Sequence, residues 1–475
     1  MLFNSLEFLI FLPIVFLLYW YVFNRSILSR NLFIIVVSYI FYGWWDWKLL
    51  LLIAFTSLCS FISGVCIEKL PNKARIMVIT NIIINLFILG LYKYYDFFVE
   101  SFHHILEYFG IQQQYTLLNL ILPVGISFYT FQALSYTIDV YRKNIKPTHD
   151  IFAFFAYVSF FPQLVAGPIE RATNLLPQFY KTPTFNYTQA VDGMRQILWG
   201  FFKKVVVADN CAVWVNEIFA NYQEQSASTL LLGGIYFAFQ IYGDFSGYSD
   251  IAIGTAKLFG INLMRNFNLP YFSRDIAEFW RRWHISLTTW FRDYIYIPLG
   301  GSRVSKIKVI RNTFIIFLVS GMWHGANWTF IIWGLYHACL FIPLLLMKIN
   351  RKNTNIVAEN HLLPSISEIT NILLTFILVV IGWIIFRAEN ITIAFDYIHR
   401  LFDLSLFTIP NFKHPLTILS IVVLIITEWL NRTESHTLYT LNKHTKYLRY
   451  ATYFILALSL YFCSAPSETF IYFQF

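Results

Sequence analysis

The chain has 475 residues, of which 57% are hydrophobic and only 13% charged, and its formal net charge is +9. Its 49 Phe, 30 Tyr and 14 Trp are more aromatic surface than a water-soluble domain of this length can bury, so the composition predicts a membrane protein. Lys and Arg lie mostly in short connections between apolar runs, which argues against a nucleic-acid-binding domain.

Apolar runs of the roughly 20 residues that span a bilayer recur along the chain, and we count about eleven of them. The first covers residues 1–23, carries Glu7, follows no basic residue and shows no small-residue cleavage site, so it reads as a span and not as a signal peptide. No soluble region or internal repeat interrupts the pattern. We therefore predict an all-α polytopic protein with re-entrant and interfacial helices, organised as one membrane domain over residues 1–475.

Basic residues are distributed unevenly between alternate connections in the first third of the chain. Eight lie after the first, third and fifth spans and two in the alternate turns: Arg25, Arg30, Lys69, Lys73, Arg75, Arg142, Lys143 and Lys146 against Lys48 and Lys93. Because basic loops stay in the cytoplasm, this asymmetry predicts that the N-terminus faces outward.

Five cysteines are scattered through the chain, mostly in apolar runs, at positions 59, 66, 211, 339 and 463. None of them forms a CxxC motif. The spacing favours neither a disulfide framework nor a zinc site, and we expect no metal.

The stretch 240–250 places polar side chains in an otherwise apolar run around Gly243 and Gly247. Two carboxylates in such a stretch predict a broken helix that lines a wet cavity. Asp244 can orient a histidine or bind a sugar hydroxyl, or it can cap a helix end. The candidate substrate-binding residues here are Gln240, Asp244, Ser246 and Tyr248.

The stretch 262–311 is rich in arginine and lysine and cannot cross lipid as one exposed helix, so we expect it to lie along a surface. Within it, residues 279–287 (FWRRWHISL) mix aromatic, cationic and apolar types, which is typical of an interfacial amphipathic helix. A basic cytoplasmic surface also suits a phosphate-bearing acyl donor, although contact with lipid headgroups explains any single arginine equally well.

The apolar run 313–347 contains His324, and an ionisable residue in such a setting is a functional candidate. Its imidazole can act as a general base near neutral pH. Gly321 and Gly325 share one helix face and predict room for a thin acyl chain or a sugar hydroxyl. Trp323 and Asn327 are further candidates for substrate binding. A histidine that only bonds a neighbouring helix remains the alternative, and His337 reads as structural.

Several motifs, taken together and in order, resemble the membrane-bound O-acyltransferase family, and within it the bacterial alginate O-acetyltransferase branch. The resemblance covers nearly the whole chain. Its carriers are LPVGISF (122–128), TFQ (130–132), FPQLVAGPI (161–169), YGDFSGY (242–248), WHISL (283–287), RDYIYIPLGG (292–301), WHG (323–325) and TFIYFQF (469–475).

The resemblance implies specific roles for two histidines. His324 matches the buried catalytic histidine of the family, and His284 matches the second, more cytoplasmic histidine of this branch, which can position the donor or the cytoplasmic helix. It also implies no bound cofactor, acetyl-CoA as the acyl donor, and transfer across a bacterial inner membrane to an exopolysaccharide or cell-wall glycan through extracytoplasmic partner proteins. The acceptor polymer stays open.

Two alternatives remain at this point. The first is D-alanyl transfer to teichoic acid, which would use the same histidine and topology. The second is a transporter for sugars or lipids, because broken helices and buried polar groups also serve transport, although the sequence shows no inverted repeat.

Overall fold

A computed structural model of the chain describes residues 1–165, 167–411, 413–466 and 470–471. Within these residues the backbone forms helices and turns and no strand. The contacts divide the chain into two compact units, Met1–Ala190 with Thr255–Met264, and Val191–Gly254 with Arg265–Phe475. A single domain over residues 1–475 stays a prediction.

The first unit contains nine helices in the part of the chain that the structure describes, several of which start at a side-chain cap. Ser5, Ser26 and Asp150 each accept a hydrogen bond from a backbone N–H of the first helical turn. The helices are α1 Leu6–Leu18, α2 Ile27–Gly43, α3 Leu50–Lys69, α4 Ala74–Lys93, α5 Tyr95–Tyr108, α6 Ile126–Tyr141, α7 Ile151–Ser159, α8 Phe161–Leu164 and α9 Ala172–Leu175.

Buried polar side chains link three helices of this unit. The Asn81 amide of α4 donates to Thr137 Oγ1 of α6 at 2.8 Å and to Ser60 Oγ of α3 at 3.3 Å. In lipid, polar groups of this kind must bond one another because no water is available, so this cluster holds α3, α4 and α6 in register.

The remaining helices follow in chain order. They are α10 Tyr187–Phe201, α11 Asp209–Ala220, α12 Ala227–Leu258, α13 Ile276–Arg282, α14 Ile285–Phe291, α15 Lys306–His324, α16 Trp328–Leu346, α17 Ile366–Arg387, α18 Ile391–Arg400, α19 Pro415–Leu430 and α20 Lys446–Phe462. A π-helical segment, Phe202–Ala208, joins α10 to α11. Segments of this kind occur frequently at functional sites.

Five helical segments are long and apolar enough to cross a membrane: Leu6–Phe23, Trp47–Lys69, Pro71–Lys93, Trp328–Leu346 and Ile366–Arg387. Two shorter apolar helices are Ile27–Gly43 and Pro415–Leu430. The sequence predicted about eleven spans. Fewer helices of spanning length occur among the described residues, because some apolar runs fold as shorter pieces. In the run 151–165, for example, α7 ends at Ser159 and α8 begins two residues later, at Phe161, with Pro162 in its first turn.

The central part of the stretch 262–311 packs against protein, and its expected position along a membrane surface stays a prediction. Helices α13 and α14 are largely buried, and the single helix expected over 279–287 is broken between Arg282 and Ile285. The charge is tolerated because Glu278 accepts hydrogen bonds from the guanidinium groups of both Arg274 and Arg282. The arginine side chains can be buried because the Glu278 carboxylate takes the place of water as their partner.

Candidate active site

The hairpin of α15 and α16 carries His324 at the last position of α15. The two helices pack closely: a Cβ built at Gly321 would lie 2.2 Å from the carbonyl oxygen of Phe330, and one at Gly325 would lie 2.2 Å from the Phe330 ring. The expectation that these glycines leave room for a substrate is therefore wrong. They allow close contact between the two helices, which sets the position of His324.

Aromatic rings surround the imidazole of His324, which is 3% exposed. The ring centroids of Trp323, Trp333 and Phe386 lie 5.1, 5.1 and 5.3 Å from its own, each at a steep angle to it. Such a setting keeps bulk water away from the imidazole, as a reaction with a hydrolysable acyl donor requires.

His284 lies at the junction of α13 and α14 and is buried, with the left-handed backbone angles φ 43° and ψ 54°. Its imidazole contacts Phe245 of α12, with ring centroids 4.6 Å apart. Burial lowers the pKa of His284 from its ordinary value to about 3, so the imidazole is neutral at pH 7. The position lies outside the apolar helices named above.

The two histidines meet at one indole ring. The centroid of Trp323 lies 5.7 Å from that of His284 and 5.1 Å from that of His324. Positions 284 and 324 are 40 residues apart in sequence. The fold thus brings three of the predicted site residues together in one buried cluster.

Helix α12 runs without interruption through residues 240–250, so the predicted broken helix is wrong. Its glycines serve close packing instead: a Cβ at Gly247 would lie 2.8 Å from the carbonyl oxygen of Gly200, and one at Gly243 would lie 2.8 Å from that of Lys203. Of the polar side chains on this helix, Ser246, Ser249 and Asp250 line a small cavity.

Asp244 is committed to an ion pair and to a backbone contact. Its carboxylate lies 2.8 Å from Lys204 Nζ and accepts the N–H of Ile471 at 2.7 Å. Lys204 also pairs with Asp209 at 2.8 Å. Of the closing motif 469–475, only residues 470 and 471 belong to the described part, and the others lie outside it. Because Asp244 lies inside α12, it does not cap a helix end.

The other polar candidates differ in their contacts. Gln240 Oε1 and Ser246 Oγ are buried and have no hydrogen-bond partner among the described residues. Tyr248 stacks near Phe470, with ring centroids 4.4 Å apart. Asn327 caps α16 by accepting the N–H of Thr329 at 3.0 Å and donates to the carbonyl of Glu389 at 2.9 Å. Its amide is therefore occupied by structural contacts.

A small polar cavity of about 30 Å³ lies beside this cluster, with Ser246, Ser249, Asn266, Lys203, Arg265 and Glu428 among its lining residues. Such a volume holds one or two water molecules. Lys203 pairs with Asp250 at 2.5 Å, and Tyr242 donates to Glu428 at 2.8 Å. The cavity wall therefore contains an ion pair and a carboxyl group that is hydrogen-bonded to a tyrosine.

Sequence reasoning missed Lys203, Lys204, Glu428 and Asn266. The first three follow the rule that singled out His324, since the lysine pair interrupts the run 197–208 and Glu428 interrupts the apolar α19. Asn266 lies in a polar stretch, where one amide side chain carries no signal of its own.

Comparisons with known proteins agree with the motifs. The family model described as MBOAT, membrane-bound O-acyltransferase family, matches residues 32–386. The chain is 40% identical over 408 residues to the probable alginate O-acetylase AlgI of Pseudomonas aeruginosa, a match that covers 85% of this chain and 75% of the relative.

Two further relatives have other named substrates. The chain is 34% identical over 436 residues to the peptidoglycan O-acetyltransferase of Helicobacter pylori, over 85% of this chain and 80% of the relative. It is 29% identical over 285 residues to the teichoic acid D-alanyltransferase of Bacillus subtilis, over 57% of this chain and 70% of the relative.

Proposed function

Because the chain belongs to the membrane-bound O-acyltransferase family, we propose that it moves an acetyl group from acetyl-CoA toward hydroxyls of an exported polysaccharide. Membership confirms the predicted helical, multi-pass membrane fold and the O-acyltransferase activity. Acetyl is supported as the transferred group by the names of the relatives from Pseudomonas and Helicobacter, both of which acetylate a glycan.

The observation that carries the proposal is the contact of both histidine rings with Trp323 inside a buried aromatic cluster. His324 acts as the general base: it takes the proton of the acceptor hydroxyl while that oxygen attacks the thioester carbonyl. A C–O bond forms, the C–S bond breaks, and the proton passes from the imidazolium to the departing thiolate. The aromatic enclosure limits competing hydrolysis of the thioester.

The remaining site residues take supporting roles in this proposal. His284 positions the acyl donor. Gln240 and Ser246 contact the substrate, because their buried oxygen atoms have no bonding partner among the described residues. Tyr248 and Trp323 shape the apolar wall, and Asp244 and Asn327 hold the helices that carry the site.

The setting of the enzyme is part of the same proposal. It lies in the bacterial inner membrane with its N-terminus outside, as the asymmetry of the basic loops supports. Extracytoplasmic partner proteins pass the acetyl group on to an exopolysaccharide or a cell-wall glycan. No bound cofactor is required, because the acyl donor is a substrate.

The test uses membranes that contain the full-length chain and acetyl-CoA labelled in its acetyl group. We expect label to appear in polysaccharide with the wild type and with the control His399→Ala, whose exposed side chain lies on α18. His324→Ala should abolish transfer while the protein stays folded in the membrane. Full activity of His324→Ala would overturn the mechanism.

The same membranes separate the alternatives. Incorporation from a D-alanyl-charged carrier protein and not from acetyl-CoA would favour the activity named for the Bacillus relative. Passage of a sugar or lipid across sealed vesicles without any acyl transfer would favour a transporter.

A further inference from the structure

The backbone segment 266–268 runs beside the junction that carries His284. Ile285 N–H donates to the carbonyl of Asn266 at 2.8 Å, and Asn268 N–H donates to the carbonyl of Arg282 at 2.9 Å. These two bonds flank His284, whose left-handed backbone costs a residue with a side chain roughly 1–3 kcal/mol. The surrounding contacts therefore hold this histidine in a conformation that it would not adopt alone.

The amide of Asn266 can have only one orientation. Its Oδ1 lies 3.3 Å from the backbone nitrogen of Ser286 and 2.9 Å from Ser286 Oγ, and its Nδ2 donates to Ser249 Oγ at 3.1 Å. A backbone N–H can only donate, so the amide atom that faces Ser286 must be the oxygen. Exchange of the two amide atoms would place two donors against each other.

This orientation determines the tautomer of His284. The same Oδ1 lies 3.1 Å from His284 Nδ1, and an amide oxygen is an acceptor only, so Nδ1 must carry the hydrogen. Because the imidazole is neutral at pH 7, its Nε2 then holds a lone pair and no proton. Ser249 anchors the arrangement to α12, and Asn266 is itself completely buried.

We propose that Asn266 is a positioning residue that holds His284 as the Nδ1–H tautomer, so that Nε2 faces the reacting groups as a hydrogen-bond acceptor. In this state His284 accepts an N–H or O–H group of the acyl donor or acceptor and cannot donate to the oxyanion through Nε2. The oxyanion donor must be another group. The inference rests on the proposed acyl transfer.

Two substitutions at position 266 separate positioning from structure. Asn266→Leu removes the acceptor, and we expect kcat for acetyl transfer from acetyl-CoA to fall about 10²-fold, as for other lost orienting contacts. Asn266→Asp keeps an acceptor for Nδ1–H and adds a negative charge that favours the imidazolium. It should retain more activity than Asn266→Leu and move the acid limb of the pH profile upward by about one unit.

A matched control is Asn312→Leu. Asn312 is also completely buried, but it donates to the carbonyls of Leu299 and Gly301 and does not contact either histidine of the site. It should lower the thermal unfolding midpoint and leave the shape of the pH profile unchanged. Equal loss in both Asn266 variants, with no change in the pH profile, would make Asn266 merely structural and overturn the inference.

A spectroscopic measurement tests the tautomer without relying on turnover. In NMR spectra of protein labelled with ¹⁵N histidine, the pair of imidazole nitrogen resonances that disappears in His284→Gln belongs to His284. At pH 7 this pair should show a proton on Nδ1 and none on Nε2. Protonation at Nε2 would overturn the inference even if transfer is normal. Absence of acetyl transfer by the wild type, or full activity of His324→Ala, would instead overturn the proposed function. Neither result would change the tautomer assignment.

Discussion

Substitution of Lys204 by Met should destabilise the second unit strongly. The Lys204 side chain is 2% exposed and pairs with Asp209 and Asp244, which are 2% and 4% exposed. Its removal leaves two buried carboxylates near each other without their shared cation. Breaking a buried pair in this way costs about 3–5 kcal/mol, because the remaining charge loses both water and partner.

The magnitude translates into a measurable shift. At about 2 °C per kcal/mol for a large domain, the unfolding midpoint should fall by roughly 6–10 °C. Once the exposed and half-buried cysteines have reacted, further labelling by a thiol-reactive fluorophore can follow the unfolding of purified protein in detergent, because Cys211 is buried and lies two residues after Asp209. The control is Lys443→Met, which breaks an ion pair whose lysine is 65% exposed and should unfold close to the wild-type temperature.

A second substitution checks the cause of the loss. Asp244→Asn in the Lys204→Met background removes one of the two carboxylates and keeps an oxygen that can accept the Ile471 N–H. It should recover part of the lost stability. Unfolding of Lys204→Met at the same temperature as Lys443→Met would refute the reasoning.

Two further predictions concern packing and pH. Gly321→Ala should destabilise the protein by about 1–3 kcal/mol and reduce acetyl transfer, because the added Cβ meets the carbonyl of Phe330. The control Gly90→Ala, whose Cβ meets nothing within 4 Å, should be neutral or stabilise the protein by up to about 1 kcal/mol. A wild-type melting temperature for Gly321→Ala would contradict this reasoning. Since burial lowers the pKa of His284 to about 3, the unfolded chain binds a proton near pH 6.5 that the native site does not, so stability is full above pH 6.5 and is lost as pH falls toward 3. Between pH 7 and 5 the wild type should lose about 2 kcal/mol more of its free energy of unfolding than His284→Gln does.

The buried charges of the second unit give the site a rigid frame. Lys203 with Asp250, Lys204 with Asp209 and Asp244, and Tyr242 with Glu428 all surround helix α12. A buried charge without its partner would be costly, so each of these pairs must stay together when the helices pack. Several such pairs therefore restrict the ways in which the helices can pack. A precise distance between two histidines on different helices depends on such restriction.

Composition and local pattern alone determined the membrane environment, the helical class and the candidacy of His324, because the cost of placing a polar group in lipid depends on the residue itself. The motif resemblance added His284 and the reaction. The helix break expected at Gly243 and Gly247 and the substrate space expected at Gly321 were both wrong, since a glycine that admits a neighbouring helix has the same local sequence as one that breaks a helix or opens space.

Only the tertiary structure decided which groups meet. Three contacts depend on the packing of segments that are distant in sequence. They are the contact of Trp323 with both histidines, the hydrogen bond from His284 to Asn266, and the hydrogen bond from Tyr242 to Glu428 across 186 residues. The hydrophobic period of a helix determines which face is buried but not which partner covers it. For this reason the candidacy of His324 was visible in the sequence, whereas its aromatic neighbours and the tautomer of His284 were not.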